Sequence, residues 1–308
     1  MNKLLKNAFT LIELLVVIAI IGILSGLIVV SMGGMTQKAT IAKAQIFSNS
    51  LRNSLMMNII AEWKFDELTT AVNGAVLKDS WNRGNDGTLS TNSVSSDTNN
   101  KAKSGTDCIS GSCLSFDGID DHIILPMNND MLMANTSSSY TYSFWIKVSR
   151  YNVGGNTSAE AYGNGISGGT TGHTIILVRP DALAIRFDAE SKTVAMTNNL
   201  NEWMHFTTEI VRASSHYKIY KNGTFMGQGN FTSYTPLTNR NPTIGKNAWT
   251  NNVNDYFNGL MDDIRMYDAA IPISQIKEQY YVGLNSLLSS GRIEKEEYLS
   301  RINSSSLK

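Results

Sequence analysis

The sequence predicts a long N-terminal α-helix able to span a membrane, then an all-β jelly-roll sandwich, then a short helical C-terminal tail. Three observations carry that prediction. An apolar run holding one charge follows two lysines at the N-terminus; short Trp-, Tyr-, Ile-, Val- and Thr-rich stretches cut by Gly, Asn, Asp and Ser fill the middle; and Glu294, Glu296 and Glu297 ahead of Arg301 mark helix near the end.

At 308 residues and 42% hydrophobic content, the chain can bury a sizeable core and suits one large β domain with attachments. Charged residues make up 17%, below the roughly 25% usual in soluble domains, while Asn, Ser, Thr and Gly abound. That balance leans towards a β protein outside the cytoplasm. Lys plus Arg equals Asp plus Glu at 26 each, so the formal charge is zero and the basic footprint of a nucleic-acid binder is missing. Nucleic acid is therefore not an expected partner. Two cysteines, Cys108 and Cys113, exclude a disulfide-scaffolded mini-protein and a four-cysteine zinc site. They bracket Ile-Ser-Gly-Ser, which lets a tight loop close, so a Cys108–Cys113 disulfide is expected in an oxidising compartment and free thiols otherwise. His122, His173, His205 and His216 lack zincin spacing.

Lys3 and Lys6 precede an apolar run from Phe9 to Val30 interrupted only by Glu13. About 20 helical residues at 1.5 Å each cross the roughly 30 Å hydrocarbon layer, so residues 9–32 are expected to span a membrane. The run is too long for the apolar part of a secretory signal. The lysines hold the N-terminus in the cytoplasm and deliver the rest of the chain outside. Gly22 and Gly26, with Ser25 beside them, permit close helix approach, though glycine is common in membrane helices. Gly33-Gly34 marks a bend, and Ile41, Ala44, Phe47, Leu51, Leu55 and Ile59 recur in steps of three and four. An amphipathic continuation over residues 33–60 follows from that stripe.

Glu13 is costly at the start of a membrane helix unless it is paired. The string Phe9-Thr-Leu-Ile-Glu13, behind a short basic leader and a small residue, resembles the N-terminal segment of type IV pilins and pseudopilins. The resemblance implies a leader of residues 1–8, cut between Ala8 and Phe9 by a prepilin peptidase that also methylates the new N-terminus. It further implies that Glu13 neutralises the α-amino group of Phe9 on a neighbouring pilin-like subunit in the apolar core of a filament, where a mispaired charge is costly. The family usually has Gly where Ala8 stands, and slower processing is the expected consequence.

Beyond residue 60 the strand candidates run in order: Ala61 to Phe65, Cys113 to Phe116, His122 to Leu125, Tyr140 to Val148, His173 to Val178 and Ala182 to Phe187. Thr193 to Met196, Met204 to Arg212, His216 to Lys221, Thr224 to Gln228, Pro242 to Lys246 and Phe257 to Tyr267 complete the series. Asn222-Gly223 is a type I′ hairpin signal. Gly, Asn and Ser from Asn152 to Gly172 read as a rim loop. Several stretches, among them Trp63-Lys-Phe-Asp-Glu67, Leu114-Ser-Phe-Asp-Gly-Ile-Asp-Asp-His-Ile123, Tyr142-Ser-Phe-Trp-Ile-Lys147 and Phe257-Asn-Gly-Leu-Met-Asp-Asp-Ile-Arg-Met-Tyr267, together resemble the concanavalin A-like fold in its laminin G-like branch. The resemblance covers residues 61–283, with a helical tail at 284–308, and His122 stands where the pattern usually has Tyr. Phe116, Phe144, Trp145, Trp203, Ile219 and Ile264 alternate with polar neighbours and are expected between two sheets. The tail reads as two short helical pieces around Gly291, a frayed polar end.

In jelly rolls of this type a structural calcium often sits near the penultimate strand. The resemblance implies Ca2+ ligands at Asp263, Gly118, Glu67 and Asp117; the same carboxylates would serve equally as turn caps on backbone amides. The Glu-x-Asp-x-x-Glu string of the related glucanases is absent, as are a nucleophile elbow and a P-loop, so no enzymatic activity is expected. Trp249, Tyr256 and Tyr162 are candidate sugar-stacking aromatics, without an assigned site. The expected protein is a filament subunit, minor or tip-located, anchored in the inner membrane with its head outside and reaching the cell surface on assembly. Glycans or surface proteins are the expected ligands. The competing expectations are a pseudopilin-like part of a secretion or DNA-uptake machine and a membrane-anchored lectin that never assembles.

Overall fold

The computed structural model describes residues 11–12, 14–22, 58–91, 101–151, 158–164, 172–236, 240–246 and 256–306. The chain divides into two compact units, Met1–Met56 and Met57–Lys308. In the first, residues 11–12 and 14–22 are helical (α1), and their large apolar side chains, from Leu11 to Ile21, are exposed. Among the described residues no helix is long and apolar enough to cross a membrane. Most of the expected span 9–32, and its continuation as far as residue 57, lies outside the described residues. One boundary is corrected: Ile59 and Ile60 are strand, Ile59 lying opposite Tyr267 and Ile60 forming a bulge, so a helix cannot run through residue 60.

The second unit is two antiparallel sheets of eight strands. The first runs β14 (Thr224–Asn230), β13 (His216–Lys221), β12 (Trp203–Val211), β7 (Ser139–Val148), β16 (Asn258–Tyr267), β5 (Ser112–Asp117), β4 (Ala102–Ser104). β1 (Ile59–Trp63) pairs with the half of β16 that β5 leaves open. The second sheet runs β11 (Glu190–Ala195), β10 (Ala182–Phe187), β9 (Thr174–Arg179), β8 (Ala159–Asn164), β15 (Thr243–Ile244), β6 (Asp121–Ile124), β3 (Gly87–Thr91), β2 (Val76–Leu77). β8 lies inside the stretch expected to be a rim loop; its Ala-Glu-Ala-Tyr-Gly-Asn lacks the β-branched residues that mark its neighbours. Asn222 and Gly223 both take positive φ, 50° and 73°, as a type I′ turn between β13 and β14 requires.

Phe116, Phe144, Ile219 and Ile264 are buried between the sheets with Trp63, Phe206 and others. Trp145 and Trp203 are not. Side chains alternate along a strand, so Phe144 facing inwards sends Trp145 outwards. The register places Trp145 opposite His205 and Trp203 opposite Lys147, all on the outer face of the first sheet. There they join Cys108, Ile109, Cys113, Tyr280, Leu284, Leu287 and Ile293 in a second apolar core.

That outer core exists because of the C-terminal helices α2 (Ile273–Ser289) and α3 (Lys295–Ser306). Ile276, Tyr280, Leu284 and Leu287, spaced four, four and three apart, form the buried stripe of α2. Each such side chain, fully buried, contributes about 1.5–3 kcal/mol. Tyr280 stacks on Trp145 with ring centroids 5.6 Å apart. Gly283 lies against the indole, where any side chain would collide. α2 ends in a Schellman motif: Arg292 N–H donates to Leu287 O and Gly291 N–H to Leu288 O, with Gly291 at φ 69°. Tyr298 Oη donates to Asn285 Oδ1 at 2.6 Å, tying α3 to α2. The tail expected to fray is thus a docked hairpin, and the boundary expected at residue 284 falls inside α2.

A buried polar chain pins α2 to the sheet. Ser143 Oγ donates to Gln279 Oε1 at 2.7 Å, so His205 Nε2–H, 2.9 Å away, donates to Ser143 Oγ. Gln279 Nε2 in turn donates to Tyr267 Oη at 2.9 Å. Burial pushes the His205 imidazole down to about 3 and keeps it neutral.

Candidate functional site

The Ser-Phe-Asp-Gly-Ile-Asp-Asp segment makes the turn from β5 to β6. Asp117 Oδ1 accepts N–H bonds from Ile119 and Asp120, and Asp117 N–H donates to Asp121 Oδ2 at 2.9 Å. Gly118, at φ 76°, packs against Asn258, where a side chain would not fit. Asp117, Asp120 and Asp121 are the group of acidic residues, among those described, whose oxygens lie within 4.8 Å of one another. Lys101 occupies this cluster: its Nζ is 2.8 Å from Asp121 Oδ2 and 3.4 Å from Asp117 Oδ2. Burial raises Asp121 to about 6 against the pull of that ammonium. Burial acts the same way on Asp117, but the two N–H donors and Lys101 outweigh it and lower its pKa.

A second acidic region forms around the Cys108–Cys113 disulfide, which closes with its Cα atoms 5.3 Å apart. The N–H groups of Ile109 and Ser110 donate to Asp262 Oδ2 at 2.8 and 3.2 Å, docking the loop onto β16. Gly111, at φ 42°, lies against the Asp66 carboxylate, which accepts the Ser112 N–H at 3.2 Å. Asp263 sits at φ 48° in a bulge of β16. Arg265 pairs with two carboxylates of the region, its Nε 2.7 Å from Glu62 Oε1 and its Nη2 3.3 Å from Asp263 Oδ1. Burial first, and Asp263 after it, raise both Asp66 and Asp262. Glu67 Oε1 accepts the Lys78 N–H at 3.3 Å.

The four residues expected to hold calcium are therefore not one site. Asp117 and Gly118 lie where β5 meets Asn258, whereas Asp263 is five residues further along β16, roughly 16 Å at the strand rise. Asp263 and Glu67 both act on Asp66, but the oxygens of these three do not converge on one point as those of Asp117, Asp120 and Asp121 do. The converging group already holds an ammonium.

On the outer face of the second sheet, His122 projects away from the core-facing Ile123. Its Nδ1–H donates to Asp120 O at 2.7 Å, and burial lowers the ring to about 4, so it is neutral. The Tyr256 ring lies 5.8 Å from it, and Lys246 Nζ stands 5.1 Å from the Tyr256 centroid. The pairing of His122 with Tyr256 joins residues distant in sequence, and nothing in either stretch announced it. Tyr162 is core, its Oη donating to Met131 O at 2.6 Å. Trp249, Ala8, Phe9 and Glu13 lie outside the described residues.

A family model described as concanavalin A-like lectin/glucanases superfamily matches residues 117–277, and one for the prokaryotic N-terminal methylation motif matches residues 5–29. No curated protein matches the chain. Among solved structures, domain 4 of AbnA, an extracellular arabinanase from Geobacillus stearothermophilus solved with arabinotriose, is 20% identical at a TM-score of 0.52, over 71% of this chain and 97% of that one. The binding domain of Paraclostridial Mosquitocidal Protein 1 is 15% identical at 0.53, and the botulinum neurotoxin serotype D binding domain 15% identical at 0.52. The chain covers 53% of each of those two, and 75% of it is matched. At such identities the likeness is one of fold. The chain belongs to the concanavalin A-like lectin/glucanases superfamily and carries a prokaryotic N-terminal methylation motif ahead of its lectin-like domain.

Proposed function

We propose that the protein is a type IV pilin-like subunit that displays its lectin-like domain outside the cell to bind glycans or surface proteins. The observation that carries this is the presence of both modules on one chain, a methylation motif at residues 5–29 and a lectin-like domain over 117–277. The first implies processing by a prepilin peptidase and assembly with other pilins; the second supplies a lectin-like head. A head as large as Met57–Lys308 is bulky for a major subunit, which favours a minor or tip position. The neighbour solved with arabinotriose supports a glycan ligand.

Glu13→Ala tests the filament half of the reading. The variant is expected in membranes at wild-type level and missing from sheared surface fractions. Its unchanged presence in those fractions would leave a tethered lectin. A glycan array probed with the full-length protein tests the binding half: a retained glycan family supports it, and an array without signal counts against it.

A further inference from the structure

The loop closed by the Cys108–Cys113 disulfide joins parts of the head that are far apart in sequence. Besides the N–H bonds of Ile109 and Ser110 to Asp262, Asp107 O accepts the indole N–H of Trp203 at 3.1 Å. Gly105 O accepts from Arg292 Nη2, in the turn between α2 and α3. The carboxylates of Asp107 and Asp262 attract the same guanidinium. Cys108, Ile109 and Cys113 are wholly buried and share the outer core with Leu284, Leu287 and Ile293. The far half of the hairpin is thus tied to this loop. The near half of α2 is held elsewhere, since Ser143 bonds Gln279 and Tyr280 stacks on Trp145, both partners being on β7. The loop itself follows β4, a three-residue strand at the edge of the first sheet, so little besides the disulfide fixes its shape.

We propose that the Cys108–Cys113 disulfide is a redox latch for the C-terminal hairpin: closed, it docks residues 284–306 on the sandwich, and open, it releases them while both sheets stay folded. Closing is thiol–disulfide exchange with a disulfide-bearing oxidant. The two protein thiols give up two electrons and two protons, the S–S bond forms, and the oxidant leaves as a dithiol. Opening is the reverse: a thiolate of a dithiol reductant attacks one sulfur and breaks the bond, and its second thiol then displaces the mixed disulfide. The linked loop is confined to the shape that meets Arg292 and the outer core, whereas the unlinked loop must spend conformational entropy to reach it. Both cysteines are out of contact with solvent, so a reductant reaches them only after the loop opens, and the state set as the head folds persists. An oxidising compartment yields the docked hairpin and a reducing one the released hairpin.

Hydrogen exchange by mass spectrometry tests this on the full-length protein, either oxidised or prepared throughout under dithiothreitol. The Cys108→Ser/Cys113→Ser variant is a second form of the open latch that needs no reductant. Without the disulfide, amides of residues 284–306 are expected to exchange at least about tenfold faster, while those of β7 and of residues 276–281 keep the rates of the oxidised protein. Arg292→Gln with the disulfide intact is expected to speed exchange in the same segment. Added to the open latch it is expected to change little, because both changes break one connection. Unchanged exchange over residues 284–306 in the reduced protein and in the double-serine variant would overturn the proposal. Equal acceleration of β7, or failure of both open forms to fold, would make the disulfide a staple of the whole head and overturn it as well.

Discussion

Lys101 and Asp121 illustrate what a single buried pair does here. Both side chains are almost wholly buried, and the ammonium is the counter-charge of the β5–β6 turn. Lys101→Met is expected to cost about 3–5 kcal/mol at pH 7.5, because it strands the Asp121 carboxylate. At pH 5 the loss should shrink, since Asp121, already raised to about 6, then takes a proton; denaturation at the two pH values checks it. His205 and His122 act in the opposite sense. Their folded values, about 3 and about 4, lie below the unfolded 6.5, so the unfolded chain binds protons first on acidification. Their stabilising contribution is complete above pH 6.5 and is lost as the pH falls towards 4 and then 3. Asp121 offsets part of this, since its contribution is present below 3.8 and lost as pH rises through about 6. His205→Gln should therefore flatten the fall in melting temperature between pH 6.5 and 4, and an unchanged slope would contradict that assignment. None of these pairings was legible in sequence: Lys101 precedes a strand three residues long, and His205 meets Ser143 and Gln279 only after folding.

At the scale of elements, strands with β-branched and aromatic alternation were legible almost to the residue. Ala182–Phe187 and His216–Lys221 form as expected, as does the Asn222-Gly223 turn. The two- and three-residue β2 and β4 were missed for lack of length, and β8 for lack of β-branched residues. The two helical pieces around Gly291 form as expected, but the start of α2 was missed, because Gly283 and the Tyr280-Tyr-Val run blur a stripe that is otherwise regular. Both irregularities have a tertiary cause, since the helix is shaped to Trp145. Gly283→Ala is accordingly expected to destabilise by about 1–3 kcal/mol through overpacking, where Ala would stabilise an exposed helix. Urea denaturation monitored by tryptophan fluorescence distinguishes the two signs. The same coupling explains Trp145 and Trp203: alternation says that one of two neighbours faces out, but only the hairpin makes the outer side a core.

For the molecule as a whole, the sandwich is a lectin-like fold with an added hairpin, and the hairpin belongs to the folded unit. Deleting residues 273–308 would uncover Trp145, Trp203 and the Cys108–Cys113 loop together, an apolar patch of the kind that drives association. Such a truncation is expected to aggregate on expression; a monodisperse monomer by light scattering would show the hairpin to be dispensable. The broad architecture was legible because two strong local signals, an apolar run with one glutamate and a series of β stretches, each fit one family. The spatial relation of Asp117 and Asp263 was not, because sequence order placed both in matching motifs while the fold sets them opposite different parts of β16. The central claim is that a processed, methylated N-terminus carries this head into a surface filament. Intact mass and N-terminal sequencing of the protein from native membranes and sheared surface fractions tests it most directly. A chain beginning at methylated Phe9 in the sheared fraction is the expected result; an uncleaved chain beginning at Met1 and confined to membranes would contradict it.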